Sequence, residues 1–197
     1  RGVSYHEDSL GKKIHIATGD ARLIALDAVT GKPINSFGTL DNGTLNLLTD
    51  VPRLNQSTIT LNNAHNQPDV PDLAGVVSQL GYSSPALVCN DVLILGTQVH
   101  DGEVLPPSPP GDVRGFDVNT GELLWTFHTV PREGEFGIDT WENDSWQLNG
   151  NTNVWAPMSA DEKLGMVYLP VSSPTNNYYG GRRPGDNLFA NSVVAVD

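Results

Sequence analysis

Five short stretches of this chain carry side chains able to do more than pack. In Asn153-Val-Trp-Ala-Pro157, the indole of Trp155 offers a large flat face on which a planar ring system can stack. In Arg1-Gly-Val-Ser-Tyr-His6, Arg1 presents a rigid fork of donors that matches carboxylates, and His6 changes charge close to neutral pH. Asp101 in Gly96-Thr-Gln-Val-His-Asp101 and Ser173 in Val171-Ser-Ser-Pro174 bring a carboxylate and a hydroxyl, the oxygen donors that hard cations prefer. Ser83, ahead of Ser84-Pro85, and Gln98 add neutral hydrogen-bonding groups. On residue type alone each has a plainer reading. Arg1 and His6 are ordinary surface residues, Trp155 a core residue, Asp101 and Ser173 loop residues, and a Ser beside Pro is common turn chemistry. The chain has no phosphate-binding Gly loop, zinc pattern or nucleophile elbow.

The elements that must position these residues are short strands. Three segments repeat one pattern: Leu23-Ile-Ala-Leu-Asp-Ala-Val-Thr-Gly-Lys32, Val113-Arg-Gly-Phe-Asp-Val-Asn-Thr-Gly-Glu122 and Val193-Val-Ala-Val-Asp197. An alternating apolar strand runs into an Asp whose carboxylate can bond the backbone of the following turn, and Gly31 or Gly121 supplies the positive φ that the turn requires. Further strands are expected at 13–18, 86–97 and 165–170, each bounded by Gly, Pro, Asn or Asp. No stretch holds helical periodicity for three turns, and 20 Gly and 14 Pro punctuate the chain throughout. The reading is all-β and a repeat architecture, a β-propeller, with about two to three blades present. The three Asp positions stand 90 and 80 residues apart, longer than a minimal four-stranded blade, so inserted loops are expected. Segments 55–73 and 103–112 have that composition, and such loops typically build the rim where a site sits. Residues 1–197 read as one partial propeller domain, truncated at both ends, because the third repeat stops before its Thr-Gly turn.

Charge narrows the partners. Eleven basic residues against 23 acidic ones leave a net charge of −12, which repels nucleic acid in the absence of a basic patch. Lys12-Lys13 and Arg182-Arg183 are the largest basic clusters, and both read as solvated loop charge. No apolar run approaches the roughly 20 residues of a membrane span, so any contact with a membrane is expected through sequence outside this stretch. Cys89 stands alone and forms no internal disulfide.

The repeat, continued in the second copy to Trp125, together with the opening Arg1-Gly-Val-Ser-Tyr-His6, resembles the pyrroloquinoline-quinone-dependent dehydrogenases, or quinoproteins. Within them, 113–125 and Trp155-Ala-Pro followed by Leu164-Gly-Met-Val-Tyr-Leu-Pro170 look most like the membrane-bound glucose dehydrogenase branch. The resemblance implies an eight-bladed propeller holding pyrroloquinoline quinone (PQQ) and Ca²⁺, or Mg²⁺, on its axis. It implies Arg1, His6, Ser83, Gln98 and Trp155 at the cofactor, Trp155 as its floor, and Asp101 and Ser173 at the metal. It further implies oxidation of a sugar or polyol, glucose-like, by hydride transfer to the quinone, electrons passed to a ubiquinone-type acceptor, and a periplasmic location. The base of that family is an Asp expected beyond Asp197, so the isolated chain is expected to be inactive. Two departures stand out: Asn35 where the blade-docking Trp would fall, and Gly115 in place of the usual Ala. A non-catalytic propeller scaffold that binds proteins through its rim loops is the alternative. Convergence of Arg1, Asp101, Trp155 and Ser173 on one pocket would distinguish the two.

Overall fold

The computed structural model describes residues 2–40, 42–49, 51, 80–99 and 108–197. Arg1 and Asp101 therefore lie outside the described residues, as do the whole of insertion 55–73 and residues 103–107 of the second insertion. Three antiparallel sheets follow one another along the chain. The first is formed by β1 (Ser4–Asp8), β2 (Gly11–Ala17), β3 (Arg22–Asp27) and β4 (Thr44–Asn46), each paired with the next. A two-stranded ribbon of β5 (Leu80–Gly81) and β8 (Gln98–Val99) brackets the start of the second sheet, built from β6 (Leu87–Cys89), β7 (Val92–Leu95), β9 (Val113–Asp117) and β10 (Leu123–Phe127). The third contains β11 (Ser159–Asp161), β12 (Met166–Pro170) and β13 (Val193–Val196). Consecutive strands as sheet neighbours, in sheets that succeed one another, make this part of a β-propeller, with no closure of one sheet on itself.

The single apolar run expected at 86–97 is in fact a hairpin, turning at Asn90 and Asp91, both of which have positive φ. Asn and Asp tolerate that conformation better than other residues with a side chain, which makes them turn residues inside an apolar stretch. The two complete repeats build the same turn. Asp27 Oδ1 accepts hydrogen bonds from the backbone N–H groups of Val29 and Thr30 and from the Thr30 hydroxyl, and Asp117 Oδ1 accepts the same three from Asn119 and Thr120. Beyond the turns the two repeats diverge. After Asp117 the chain returns as β10, whereas after Asp27 it makes only a bridge from Leu26 to Pro33 and pairs again at β4. Pro33 has no N–H to offer a ladder, and Asn35 stands where an anchoring indole would be.

Burial explains the middle sheet's composition. Leu93, Leu95 and Phe116 point into a cluster shared with Leu23, Ala25, Phe37 and Leu45 of the first sheet. Ile94 and Val113 point the other way, into a cluster with Val154, which precedes the third sheet, and with Val167 and Leu169 of that sheet. A strand covered on both faces reads as a continuous apolar run, as Val92-Leu-Ile-Leu95 does, where a half-exposed strand alternates. The glycine departure at 115 has a physical reason. A Cβ there would lie 2.2 Å from Cε2 of Trp125, so the missing side chain makes room for the indole across the β9–β10 pair.

Polar bonds tie the sheets together where the cores do not. Ser4 Oγ donates to Ala86 O at 2.5 Å, the Gly38 N–H to Thr120 O at 2.7 Å, and Asn90 Nδ2 to Glu162 O at 3.1 Å. His15, 1% exposed, packs against Phe37 and donates through Nε2 to Val118 O at 2.9 Å, while its Nδ1 is buried without a partner. Burial holds its pKa down at about 4, so the ring is neutral at pH 7. Between the second and third sheets, two 3₁₀ turns at Ile138–Thr140 and Glu142–Gln147 flank Trp141, which is 2% exposed and donates Nε1–H to Leu188 O at 2.5 Å. Trp141 is thus a core residue.

Candidate functional site

Four connecting segments meet at one end of the sheets: 83–85 before β6, 96–98 after β7, 151–155 before β11 and 171–175 after β12. The segment 151–155 is the hub. Its Asn151 N–H donates to Pro109 O at 2.9 Å, its Thr152 N–H to Ser173 O at 3.1 Å, and its Asn153 O accepts the Ser172 N–H at 2.9 Å. The Ser172 hydroxyl also bonds Asn153 Oδ1. Asn151 to Val154 are all buried, at 0–2% exposure, so the backbone leading to Trp155 is held from both sides before the indole emerges.

Trp155 itself is 53% exposed, unlike the buried Trp141. A large apolar side chain left half in water at the end of a buried segment offers its face rather than packing it. Its main chain is held as well: Ser83 Oγ donates to Trp155 O at 3.0 Å and Ser84 Oγ to the same oxygen at 2.6 Å. Gly96 completes the bracket. A Cβ at that position would lie 2.0 Å from Val154 O and 2.9 Å from Val154 Cβ, so only glycine lets the end of β7 come this close. Gly111 stands in the same relation to Asn151, with 2.3 Å from its would-be Cβ to the carbonyl oxygen.

Of the residues singled out in the sequence, Ser83, Gln98, Trp155 and Ser173 lie on these four adjoining segments. Gln98 is exposed and pairs with Gly81, two residues before Ser83. The Ser173 hydroxyl donates to Asn191 Oδ1 at 2.7 Å, which places two neutral oxygen donors side by side. Arg1 and Asp101 are outside the described residues, so their approach to this group is not described. His6 is not among the group. Its Nε2 lies 3.2 Å from Asp8 Oδ2 and 3.3 Å from Asp91 Oδ1, with the buried Lys13 ammonium 2.9 Å from Asp8 Oδ1. Asp91 sits in the turn at the far end of β6 from Ser83 and Ser84, about 10 Å along the strand. His6 therefore belongs to an ion-paired cluster linking the first sheet to the second.

Ser84, Asn153 and Asn191 are contributors that residue type did not single out. The Ser-Ser-Pro and Asn-Val-Trp strings carried a weak signal, two hydroxyls and an amide flanking the chosen residues, while Asn191 had none. The rim expectation for 103–112 is revised where that segment is described. Ser108 to Asp112 is buried, and Ser108 N–H donates to Leu148 O at 3.0 Å, because Asn149 to Asn151 run alongside it.

The residues present fit a planar cofactor in one respect that the structure itself supplies: a flat, half-exposed indole on a main chain held by two hydroxyls. For a metal the described part is less complete. Among the described residues no group of three His, Cys, Asp or Glu side chains is arranged to hold an ion, and Ser173 and Asn191 offer neutral oxygens only. No helix among the described residues is long and apolar enough to cross a membrane.

Similarity to known proteins agrees with this arrangement. The family model "PQQ: Glucose/ethanol/alcohol dehydrogenase, beta-propeller domain" matches residues 1–197. The chain is 30% identical to the quinoprotein glucose dehydrogenase of Escherichia coli (strain K12), over all of this chain and 23% of that protein. It is 33% identical to the glycerol dehydrogenase large subunit of Gluconobacter oxydans (strain 621H), over all of this chain and 24% of that protein. The chain thus spans about a quarter of the length of these relatives. In fold, it superposes on the quinohemoprotein alcohol dehydrogenase from Comamonas testosteroni with a TM-score of 0.68 at 22% identity, covering all of this chain and 25% of that one. With sheet order, repeat turns and a match along its entire length in agreement, the chain belongs to the PQQ-dependent glucose, ethanol and alcohol dehydrogenase β-propeller family.

Proposed function

We propose that this chain forms the cofactor-holding part of a PQQ-dependent dehydrogenase that oxidises a sugar or another alcohol. The observation that carries the reading is Trp155, an exposed indole whose carbonyl is held by the hydroxyls of Ser83 and Ser84. Bound PQQ would supply the two-electron acceptor, and a bound Ca²⁺ or Mg²⁺ the charge that polarises it.

This chain's residues then bind and orient. Trp155 provides the stacking face. Gln98 stands within the same cluster of segments as a neutral donor toward cofactor oxygens, Ser83, whose O–H is spent on Trp155 O, keeps its oxygen as an acceptor there, and Arg1 is the guanidinium for cofactor carboxylates. Asp101 is assigned the charged metal ligand and Ser173 a weaker oxygen donor. His6, which the resemblance implies at the cofactor, stands beside Asp8 and Asp91. The carboxylate that takes the substrate hydroxyl proton is assigned to no residue of this chain, so the chain alone is expected to bind the cofactor without turning over. A glucose-like substrate, a ubiquinone-type electron acceptor and a periplasmic location are supported by the sequence resemblance to the membrane-bound glucose dehydrogenase branch.

The test is a titration of the full-length protein with PQQ in the presence of Ca²⁺, read by tryptophan fluorescence and by dye-linked oxidation of glucose and glycerol. Trp155→Ala is expected to weaken cofactor binding by about 10-fold to 100-fold, the cost of losing one stacked aromatic face. Unchanged affinity in that variant, with the fold intact, would refute the assignment of Trp155 as the cofactor floor.

A further inference from the structure

A cavity of about 180 Å³ opens against β9 and β10 of the second sheet and the neighbouring β5, and none of Ser83, Gln98, Trp155 or Ser173 lines it. One water needs roughly 10–15 Å³ by such a measure, so the space suits a small molecule. Its apolar wall is Val51, Leu80 and Leu123, and its polar wall carries Tyr82, Asp112, Arg114, His128 and Arg132. We propose that this cavity binds a small oxyanion, a carboxylate or phosphate group, between the guanidinium groups of Arg114 and Arg132.

Charge is the first argument. Two guanidinium groups line the cavity against one lining carboxylate, Asp112; Glu135, outside the lining, bonds the His128 ring at 2.7 Å and the Arg132 backbone N–H at 2.8 Å. In a chain of net charge −12, a cavity wall with excess positive charge is a local reversal that attracts an anion.

Fixed geometry is the second. Among the described residues Arg114 uses Nη2, donating to Leu47 O at 2.8 Å and Tyr82 Oη at 2.7 Å, while its guanidinium carbon lies 5.5 Å from the centre of the Phe116 ring. The plane is thereby held, and among the described residues Nη1 and Nε have no partner. Among the described residues Arg132 likewise uses Nη2, which donates to Asp112 Oδ2 at 3.0 Å. A rigid fork with unused N–H groups is suited to paired oxygens, and little side-chain freedom remains to be lost on binding.

Asp112 is the third. It is 8% exposed, its Oδ1 is buried with no hydrogen-bond partner, and burial pushes its pKa up. Its carboxyl occupies one donor of Arg132 and its charge acts on both Arg132 and Arg114, so the two lining cations share one carboxylate. A ligand oxyanion is the missing negative group.

Calorimetric titration of the full-length protein at constant ionic strength, with inorganic phosphate and with lactate as probes, tests this. Saturable binding of at least one probe is expected, weakened about tenfold by Arg132→Gln and recovered in part by Arg132→Lys. Phosphate alone would identify a phosphoryl site, and both probes a general oxyanion site. Should Arg132→Gln fail to fold, Arg114→Lys keeps the charge, removes the fork and is expected to show the same loss. Absence of saturable binding for both probes, or equal binding by the folded variants, would overturn the proposal.

Discussion

Gly96→Ala is the perturbation that most directly tests how Trp155 is positioned. The new Cβ would lie 2.0 Å from Val154 O, against about 3.4 Å for an ordinary contact, so the two backbones must part by roughly 1.4 Å. Neither can yield cheaply, because Val154 is 1% exposed and packed between β7 and the third sheet. Overpacking of this kind costs about 1–3 kcal/mol, which in a unit of about 200 residues lowers the melting temperature by about 4–8 °C at the middle of the range and by less in a longer cooperative unit. The next residue along is Trp155, so the same displacement carries the indole away from its place, and a shift of about 1 Å can cost up to 100-fold in activity. Gly81→Ala is the matched control. Its Cβ would meet only Gln98 Oε1, at an ordinary 3.7 Å, so a change within about 0.5 kcal/mol is expected. The assay is calorimetric melting of the full-length protein with and without PQQ, alongside tryptophan fluorescence titration. If Gly96→Ala and Gly81→Ala melt and bind alike, the close approach does not position Trp155 and the reasoning fails.

Two further outcomes are expected. Gly115→Ala, which installs the residue most common in this repeat, should destabilise this protein by about 1–3 kcal/mol, because its Cβ would lie 2.2 Å from the Trp125 ring; urea unfolding measures it, and a stabilised variant would contradict the packing account. Acid stability should depend on His15. Its folded-state pKa, about 4, lies below the unfolded value near 6.5, so the stabilisation is complete above pH 6.5 and is lost as pH falls through 4, amounting to about 3 kcal/mol. Unfolding curves at pH 7 and pH 4 should show that loss, and His15→Gln should lose less; equal losses would assign the acid sensitivity elsewhere.

Much of the architecture was legible because it is local. An apolar strand, an Asp and a Thr-Gly turn are a self-contained device, and Asp27 and Asp117 make the same three hydrogen bonds in the structure. The hairpin at Asn90 and Asp91 was less legible, since a strand pair buried on both faces loses the alternation that separates one strand from two. The candidate site was legible in part. Trp155 and Ser83 drew notice by residue type, yet Ser84 makes the shorter bond to the same carbonyl. His6 shares a motif with Arg1, but a strand carries it along β1 to Asp8 and Asp91, and motif membership says nothing of which end of a strand a side chain serves.

By itself the sequence determined the repeat, its turns and hence an all-β propeller-like chain, because those features depend on residues within a few positions of one another. Only the tertiary structure decided that Gly96 lets β7 lie against Val154, that Gly115 leaves space for Trp125, and that Ser83 and Ser84 reach Trp155 across 72 and 71 positions of chain. The physical reason is that a close approach between backbones is a property of two segments packed together, and neither segment alone shows it.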